Sequence, residues 1–226
     1  MAVIAVVIAG GPLAVPWSDV SPPFDRIVAV DGGLDVALAA GLEPTVLLGD
    51  LDSVSTCALR WAEDHRLPVV RHPADKDDTD TALALAEVAR VADPAGTDLV
   101  VLGSSAVDRF DHLLGTLLAL GAPDLAALRS VTAHLGATEV RVLHPHRRCA
   151  LALAPERTLS LLALHGRCTG VHISGVRWPL ADHALTPTST LGVSNEAIAG
   201  VVEVSVGDGV LTVVLPPVAD THGGAA

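Results

Sequence analysis

Short apolar runs alternate with longer Ala- and Leu-rich stretches through the first half of the chain. The runs are typical of strands buried on both faces, and the longer stretches are typical of helices. The pattern predicts strands at residues 2–9, 26–30, 45–48, 68–71 and 98–103, and helices at residues 34–40, 53–65, 80–91 and 111–120. Because strands that alternate with helices form parallel sheets, we predict an α/β domain with a Rossmann-like sheet.

Beyond residue 124 the pattern changes to short strand-like pieces separated by turn residues. The predicted strands are residues 139–143, 149–153, 158–163, 171–173, 200–206 and 209–215. Short strands at this spacing indicate an antiparallel all-β sandwich or barrel. We therefore expect an α/β domain at residues 1–124, a β domain at residues 125–220 and a disordered tail at residues 221–226.

Composition and charge narrow the classes of function. The chain has 226 residues, half of them apolar, which is enough for one large domain or two modest ones. A formal net charge of -12 and a pI near 5.1 argue against binding to nucleic acid or to an anionic membrane, because no basic patch is available to neutralise phosphates. A small-molecule substrate fits this charge better.

The cysteines and the first apolar run indicate the compartment. Cys57, Cys149 and Cys168 are scattered without Cys-x-x-Cys spacing, so neither a disulfide framework nor a zinc site is expected. The run at residues 2–9 has no basic residue before it and is shorter than the about 20 residues that a membrane span needs. These features predict a cytoplasmic protein with reduced thiols.

Two carboxylates, Asp50 and Asp52, follow the apolar run at residues 46–48. Carboxylates this close together repel each other, and a hard divalent cation that carries the phosphates of a nucleotide would relieve the repulsion. In a second interpretation, Asp50 caps a turn and Asp52 caps the next helix. Both interpretations are open from these two residues alone.

Two further loops at predicted strand ends carry glycines and carboxylates, and the ligands of parallel sheets bind beyond the carboxyl ends of the strands. Asp31-Gly32-Gly33 follows the second strand, and the acidic run from Asp75 to Asp80 follows the fourth. A helix N-terminus together with Lys76 would attract phosphate, while Asp80 offers a metal ligand. A tight turn and an exposed loop that enters a helix are the structural alternatives.

Arg109, Asp111 and His112 follow the fifth predicted strand. A guanidinium forms forked hydrogen bonds with phosphate oxygens, which favours a role in phosphate binding. A surface ion pair with Asp108 or Asp111 explains Arg109 equally well.

In the second half, Trp178 is conspicuous because aromatic residues make up only 2% of the chain. It is either a core residue or a flat platform for a ligand ring, in particular a cationic one. Ser194 and Asn195 are either turn residues or polar contacts for a heterocycle.

In their order and spacing, these segments resemble the thiamine pyrophosphokinase family. The resemblance covers nearly the whole chain and rests on Asp31-Gly32-Gly33, Gly49-Asp50-Leu51-Asp52-Ser53, Asp75-Lys76-Asp77-Asp78-Thr79-Asp80, Arg109-Phe110-Asp111-His112, Trp178-Pro179-Leu180 and Ser194-Asn195-Glu196. It implies an α/β catalytic domain, a β-sandwich domain, and transfer of pyrophosphate from ATP to thiamine, which gives thiamine diphosphate and AMP. It also implies a homodimer with thiamine held between the first domain of one subunit and the second domain of the other.

The resemblance further implies roles for individual residues. The positions that match Mg²⁺ ligands are Asp50, Asp52 and Asp80, with Asp31 in the same acidic centre. The positions that match ATP contacts are Lys76, Asp77, Thr79 and Arg109. Trp178 matches the residue that packs on thiamine, and Ser194 and Asn195 lie in the segment that contacts its pyrimidine. The residues expected to take part in catalysis are Asp31, Asp50, Asp52, Asp80, Arg109 and Asp111, and either Asp111 or an acidic neighbour accepts the hydroxyl proton.

One segment departs from the family's pattern. Members usually carry a glycine-rich run before Arg-x-Asp-His, whereas residues 103–109 read Gly-Ser-Ser-Ala-Val-Asp-Arg. Fewer glycines and the negative charge of Asp108 disfavour the close approach of a phosphate. An alternative function is therefore a weakened relative that binds a nucleotide or a thiamine derivative as a sensor or scaffold.

Overall fold

The computed structural model describes residues 1–11, 13, 23–73, 75, 77–104 and 109–218. Lys76, residues 105–108 with the predicted ion-pair partner Asp108, and the tail at residues 221–226 lie outside the described residues. Contacts divide the chain into two compact units, Met1–Gly136 and Ala137–Ala226. Among the described residues, no helix combines the length and the apolar character needed to cross a membrane.

The first unit contains a parallel sheet of six strands in the order β6-β5-β1-β2-β3-β4. The strands are β1 (Ala2–Val7), β2 (Arg26–Val30), β3 (Val46–Gly49), β4 (Val69–Arg71), β5 (Thr97–Gly103) and β6 (Ser130–Leu135). The helices are α1 (Gly33–Ala39), α2 (Thr56–Asp64), α3 (Asp80–Val91) and α4 (Phe110–Ala119), followed by a 3-10 helix at Pro123–Ala127. The predicted α/β class is therefore confirmed for this unit.

Helices cover both faces of this sheet, which explains why its strands are apolar without alternation. On one face, Ile27 and Val3 pack in a cluster with Val36 of α1. On the other face, Val28 lines a small apolar cavity together with Ala84 of α3. Successive residues of a strand therefore serve opposite faces, and both faces need apolar side chains.

The sixth strand, Ser130–Leu135, was not predicted from the sequence. Its residues alternate between buried and partly exposed positions, so it lacks the apolar run that marks the other central strands. It pairs in parallel with β5, with Val131 opposite Leu99. The first unit therefore extends to Gly136, beyond the predicted boundary at residue 124.

The second unit is an antiparallel sandwich of two four-stranded sheets. Their strand orders are β12-β9-β14-β7 and β11-β10-β13-β8. The strands are β7 (Thr138–Leu143), β8 (Arg148–Ala152), β9 (Thr158–Leu162), β10 (Cys168–Ser174), β11 (Leu180–Leu185), β12 (Asn195–Glu196), β13 (Val201–Ser205) and β14 (Leu211–Leu215). One buried cluster takes side chains from both sheets, including Leu161 and Val213 from the first and Ile173 and Val204 from the second.

Candidate active site

Three carboxylates meet at the carboxyl ends of neighbouring strands in the first unit. Asp31 follows β2, Asp50 follows β3, and Asp80 begins α3. One oxygen of each side chain lies within 4.8 Å of the others, and all three residues are half-buried. The sequence predicted that these loops share one edge of the sheet, because the carboxyl ends of adjacent parallel strands meet there. The family resemblance implied Asp50, Asp52 and Asp80 as the metal-binding set with Asp31 nearby, whereas the three carboxylates that meet are Asp31, Asp50 and Asp80.

The backbone of the β3–α2 loop sets the arrangement. Gly49 has a φ of 140° and Leu51 a φ of 70°, so the chain turns sharply on either side of Asp50. The carboxylate of Asp31 fills the space that a Cβ at Gly49 would occupy. It also accepts a hydrogen bond from the Leu51 main-chain N–H at 3.0 Å, which ties the β2–α1 loop to the β3–α2 loop.

Burial and nearby charge act together on Asp31. Desolvation raises the pKa of its carboxyl from 3.8 to about 6, and the negative charges of Asp80 and Asp50 act in the same direction. The hydrogen bond from Leu51 opposes the shift, while a hydrogen bond with the Asp80 side chain adds to it. A divalent cation would favour the ionised form of all three groups, and carboxylate oxygens are the ligands that Mg²⁺ prefers. The residues present therefore fit a hard metal ion.

Asp52 does not belong to this cluster of three. Its main-chain N–H donates to Asp50 Oδ1 at 3.2 Å, which is the capped turn that the sequence also allowed. The helix cap assigned to Asp52 in that interpretation belongs instead to Ser55, whose side chain accepts from the Ala58 N–H. Asp52 is exposed and faces the neighbouring cavity.

A cavity of about 480 Å³ adjoins the carboxylates within the first unit. The residues that line it include Gly10, Asp31, Asp52, Ser53 and Arg109. The first turn of α4, at His112 and Leu113, lies at the same cavity, and a helix N-terminus favours anions. The size lies in the range of small-molecule sites.

Arg109 makes a forked ion pair with Asp111. Its Nε and Nη2 lie 3.1 and 3.0 Å from the two carboxylate oxygens of Asp111. This pairing holds the pKa of the Asp111 carboxyl at about 2 and corresponds to the ion pair that the sequence left open. Arg109 is exposed and also lines the cavity.

The loop before α3 is only partly described. Asp77 and Thr79 are exposed, and the Thr79 hydroxyl accepts from the Ala82 N–H at 3.2 Å as the N-cap of α3. Lys76 lies outside the described residues, as does the stretch at residues 105–108. Thr79 therefore has a structural role, and it places Asp80 in the first turn beside Asp31.

In the second unit, the predicted ligand residues adjoin one another. Trp178 is 56% exposed, and its main-chain N–H donates to Asn195 Oδ1 at 3.1 Å. Asn195 is buried, and its Nδ2 donates back to the Trp178 carbonyl at 2.7 Å. Ser194 is exposed with a φ of 57°, and its N–H donates to Ser160 Oγ at 3.0 Å. Trp178 is thus a surface residue and not a core residue.

Sequence reasoning missed several supporting residues. Ser53 Oγ accepts from the Gly32 N–H at 3.1 Å. Asp35 accepts from the Ser55 N–H at 3.0 Å and also from the Ser55 hydroxyl. These bonds join the two loops that carry Asp31 and Asp50. Their only signal in the sequence is a polar residue beside a motif, which is common to most loops.

The fold and the acidic centre define a two-domain protein: a parallel α/β unit with a carboxylate site at its strand ends, followed by an antiparallel sandwich. Two family models match successive parts of the chain. The thiamin pyrophosphokinase catalytic domain matches residues 21–128, and the thiamin pyrophosphokinase vitamin B1 binding domain matches residues 143–211. Together they span most of the sequence. The chain belongs to the thiamine pyrophosphokinase family, whose members are ATP-dependent thiamine diphosphokinases.

Individual relatives agree with this assignment. The thiamine pyrophosphokinase of Bacillus subtilis (strain 168) is 26% identical over 196 residues, which are 85% of this chain and 88% of that protein. A crystal structure of the Bacillus subtilis protein is similar with a TM-score of 0.78 at 24% identity, covering 95% of this chain and 99% of that one. Thiamin pyrophosphokinase from Candida albicans reaches a TM-score of 0.77 at 13% identity, covering 95% and 88%. These two structures support the fold.

Proposed function

We propose that the protein transfers pyrophosphate from ATP to the hydroxyl of thiamine, giving thiamine diphosphate and AMP. The observation that carries the proposal is the cluster of Asp31, Asp50 and Asp80, which opens beside a cavity of about 480 Å³ with Arg109 on its wall. A nucleoside triphosphate needs both the carboxylate cluster and Arg109, because its negative charge must be neutralised by a metal ion and by cationic hydrogen-bond donors. The match to both family domains supports thiamine and ATP as the two substrates.

The acidic centre is proposed to hold Mg²⁺ through Asp50, Asp80 and Asp31. When bound, Mg²⁺ supplies positive charge that polarises phosphoryl oxygens and neutralises the triphosphate. Asp52 would lie near the metal without being one of the three residues that hold it, since it is outside the cluster but lines the same cavity. Four carboxylates near one triphosphate would otherwise repel it, so binding of ATP depends on the metal.

The remaining site residues are proposed to bind and orient ATP. Arg109 exchanges one of its contacts with Asp111 for a phosphate oxygen, which its five N–H donors allow. The first turn of α4, which lines the cavity at His112 and Leu113, adds the favourable potential of a helix N-terminus. Lys76, Asp77 and Thr79 are assigned to ATP through the resemblance, with Thr79 also capping α3.

In the proposed reaction, the thiamine hydroxyl oxygen forms a bond with the β-phosphorus of ATP. The bond from that phosphorus to the oxygen bridging it to the α-phosphorus breaks, and AMP leaves. The residues of the site hold the nucleophile and the leaving group in line. Asp111 is a weak base while Arg109 keeps its pKa at about 2, so we assign the hydroxyl proton to another acidic residue beside the cavity.

Thiamine is proposed to pack on Trp178, with Ser194 beside it. The exposed indole offers an electron-rich face to a cationic thiazolium ring. We also propose a homodimer in which the first domain of one subunit and the second domain of the other share the site. The exposed side chains of Phe110, Leu114 and Leu118, spaced by one helical turn along α4, form an apolar stripe that supports an interface there.

AMP formation from ATP tests the proposed function. The full chain would be incubated with ATP and Mg²⁺, with and without thiamine, and with EDTA in a parallel reaction. We expect AMP and thiamine diphosphate in equal amounts, dependent on both thiamine and Mg²⁺. Thiamine binding without AMP under any metal condition would contradict the proposal. Sedimentation of the same sample checks the dimer separately.

A further inference from the structure

Strand β12, Asn195–Glu196, contacts the backbone of the exposed residue Trp178 and the side chain of its neighbour Arg177. Trp178 exposes 56% of its surface. Such exposure is conspicuous because the chain has only three tryptophans. A large ring on the surface binds a ligand tightly when its orientation is set before binding, because little conformational freedom is then lost. Asn195 acts on the Trp178 backbone, and Glu196 acts through Arg177.

The Asn195 amide pairs with the Trp178 backbone as a neighbouring strand would. Trp178 N–H donates to Oδ1 at 3.1 Å, and Nδ2 donates to the Trp178 carbonyl at 2.7 Å. The Glu196 main-chain N–H also donates to Oδ1, at 2.9 Å. These bonds use both lone pairs of Asn195 Oδ1 and one of the two N–H groups of Nδ2. Because Asn195 is only 6% exposed, the bonds are shielded from water.

A second set of contacts covers one face of the indole. The guanidinium carbon of Arg177 lies 5.3 Å from the centroid of the Trp178 ring, and Nη1 of Arg177 lies 3.2 Å from Glu196 Oε2. The Arg177 main-chain N–H also donates to the Glu196 carbonyl at 2.8 Å. A guanidinium over one face repels a second cation there and leaves the opposite face for a ligand.

We propose that Asn195 and Glu196 are positioning residues for the binding of a flat heteroaromatic ring by Trp178. Asn195 fixes the Trp178 backbone, and Glu196 holds Arg177 over one indole face so that the ring binds on the other. Neither residue touches the ligand, which differs from the direct contact that the resemblance implies for Asn195. The inference rests on the proposed function, in which the ring is that of thiamine.

A double-mutant cycle separates action through Trp178 from direct contact. AMP formation and thiamine titration of tryptophan fluorescence would be measured for the wild type, Asn195→Ala, Trp178→Ala and the double variant. Loss of the Asn195 bonds should raise the KM for thiamine roughly 10-fold, with kcat and the KM for ATP changed by less than about twofold. In the Trp178→Ala background, Asn195→Ala should add less than about twofold. Effects that multiply in the double variant would overturn the proposal.

Two further variants guard against a general loss of folding. Asn195→Asp keeps the acceptor for two N–H groups but sets a carboxylate oxygen against the Trp178 carbonyl, so its KM for thiamine should be at least as high as that of Asn195→Ala. Glu196→Ala should raise this KM because Arg177 is no longer held to one face. The double variant Arg177→Ala/Glu196→Ala should return the KM for thiamine toward the wild-type value. If its KM stayed as high as that of Glu196→Ala, the proposed role of Glu196 would be wrong.

The same variants distinguish the two levels of the hypothesis. If Trp178→Ala binds thiamine as the wild type does, the proposed thiamine contact is wrong. If Trp178→Ala weakens binding strongly while Asn195→Ala does not, only the positioning role is wrong. A wild type that neither binds thiamine nor forms AMP contradicts both. Trp178→Ala also provides the fluorescence background from Trp17 and Trp61.

Discussion

The carboxylate of Asp31 occupies the space in which residue 49 would carry its side chain, and glycine leaves that space open. The backbone at Gly49 also has a φ of 140°, a conformation that other residues rarely adopt. The two requirements coincide at one position, immediately before Asp50. A side chain there would therefore move a carboxylate of the acidic centre as well as strain the loop.

Gly49→Ala is expected to lower both stability and turnover. Backbone strain alone should reduce the free energy of unfolding by about 1–2 kcal/mol, and displacement of Asp31 should reduce Mg²⁺-dependent AMP formation by roughly 100-fold. Urea unfolding and steady-state kinetics measure the two effects. Gly41→Ala is the matched control, because Gly41 has a φ of 72° with nothing within 4 Å of the added Cβ. Equal turnover in the two variants would argue against a positioning effect on Asp31.

The effect of substituting an acidic residue on the Mg²⁺ requirement should be larger for residues within the cluster of three than for Asp52 outside it. Asp50→Asn and Asp80→Asn remove proposed metal ligands, and each should raise the Mg²⁺ concentration for half-maximal activity by roughly 10-fold or more. Asp52→Asn should have a smaller effect, since Asp52 lies outside the cluster of three. Mg²⁺ titration of AMP formation measures these differences. If Asp52→Asn raised the Mg²⁺ requirement more than the other two variants, the metal would lie nearer Asp52 than the cluster with Asp31.

The stability of the metal-free protein should depend on pH through Asp31. Its pKa is about 6 in the folded state, above the ordinary value of 3.8, so the stabilising difference is present below pH 3.8 and is lost as the pH rises to about 6. Wild-type stability relative to Asp31→Asn should therefore fall across this interval. Chemical denaturation with EDTA between pH 4 and 7 measures the difference. A constant difference would show that Asp31 titrates normally.

Added Mg²⁺ should reverse that trend at neutral pH. The ion binds the ionised form, so the wild type should gain stability at pH 7, whereas Asp31→Asn should gain less. The same denaturation series with and without Mg²⁺ provides the comparison.

Arg109→Lys is expected to weaken ATP binding while preserving charge. Lysine lacks the fork that lets Arg109 contact Asp111 and a phosphate together, so the KM for ATP should rise roughly 10-fold. The KM for thiamine should change little. Steady-state kinetics with each substrate varied in turn measures both, and Arg90→Lys is a control because Arg90 pairs with Glu87 away from the cavity. An unchanged KM for ATP would remove Arg109 from phosphate binding.

The sequence predicts most of the fold because local patterns specify most elements. Strand β2 and helix α3 begin and end where the apolar pattern predicts. Strand β11, Leu180–Leu185, was missed, since only its two end residues are buried and its centre is polar and exposed. Strand β12 has two residues and forms through pairing with β9, which no local pattern shows.

For the site, the sequence predicts which edge of the sheet carries the carboxylates but not which of them meet. The spacing favours Asp50 and Asp52 as a pair. In the structure, the left-handed conformation of Leu51 turns the chain between them, and Asp31 joins Asp50 instead. That conformation is uncommon for leucine, so it is not predictable from residue type. Likewise, the bonds from Asn195 to Trp178 depend on long-range contacts within the sandwich.

Strand β4 has a consequence for thermal behaviour. All three of its residues are exposed, it lies at the edge of the sheet, and it pairs directly with β3, placing Arg71 opposite Gly49. Few buried contacts hold such a strand, so it should open at a lower free energy than the rest of the sheet. Opening would release the His72 N–H from the Gly49 carbonyl and loosen the loop that carries Asp50. We expect inactivation by heat to precede global unfolding, with the amides of Val69 to His72 among the first to exchange with solvent.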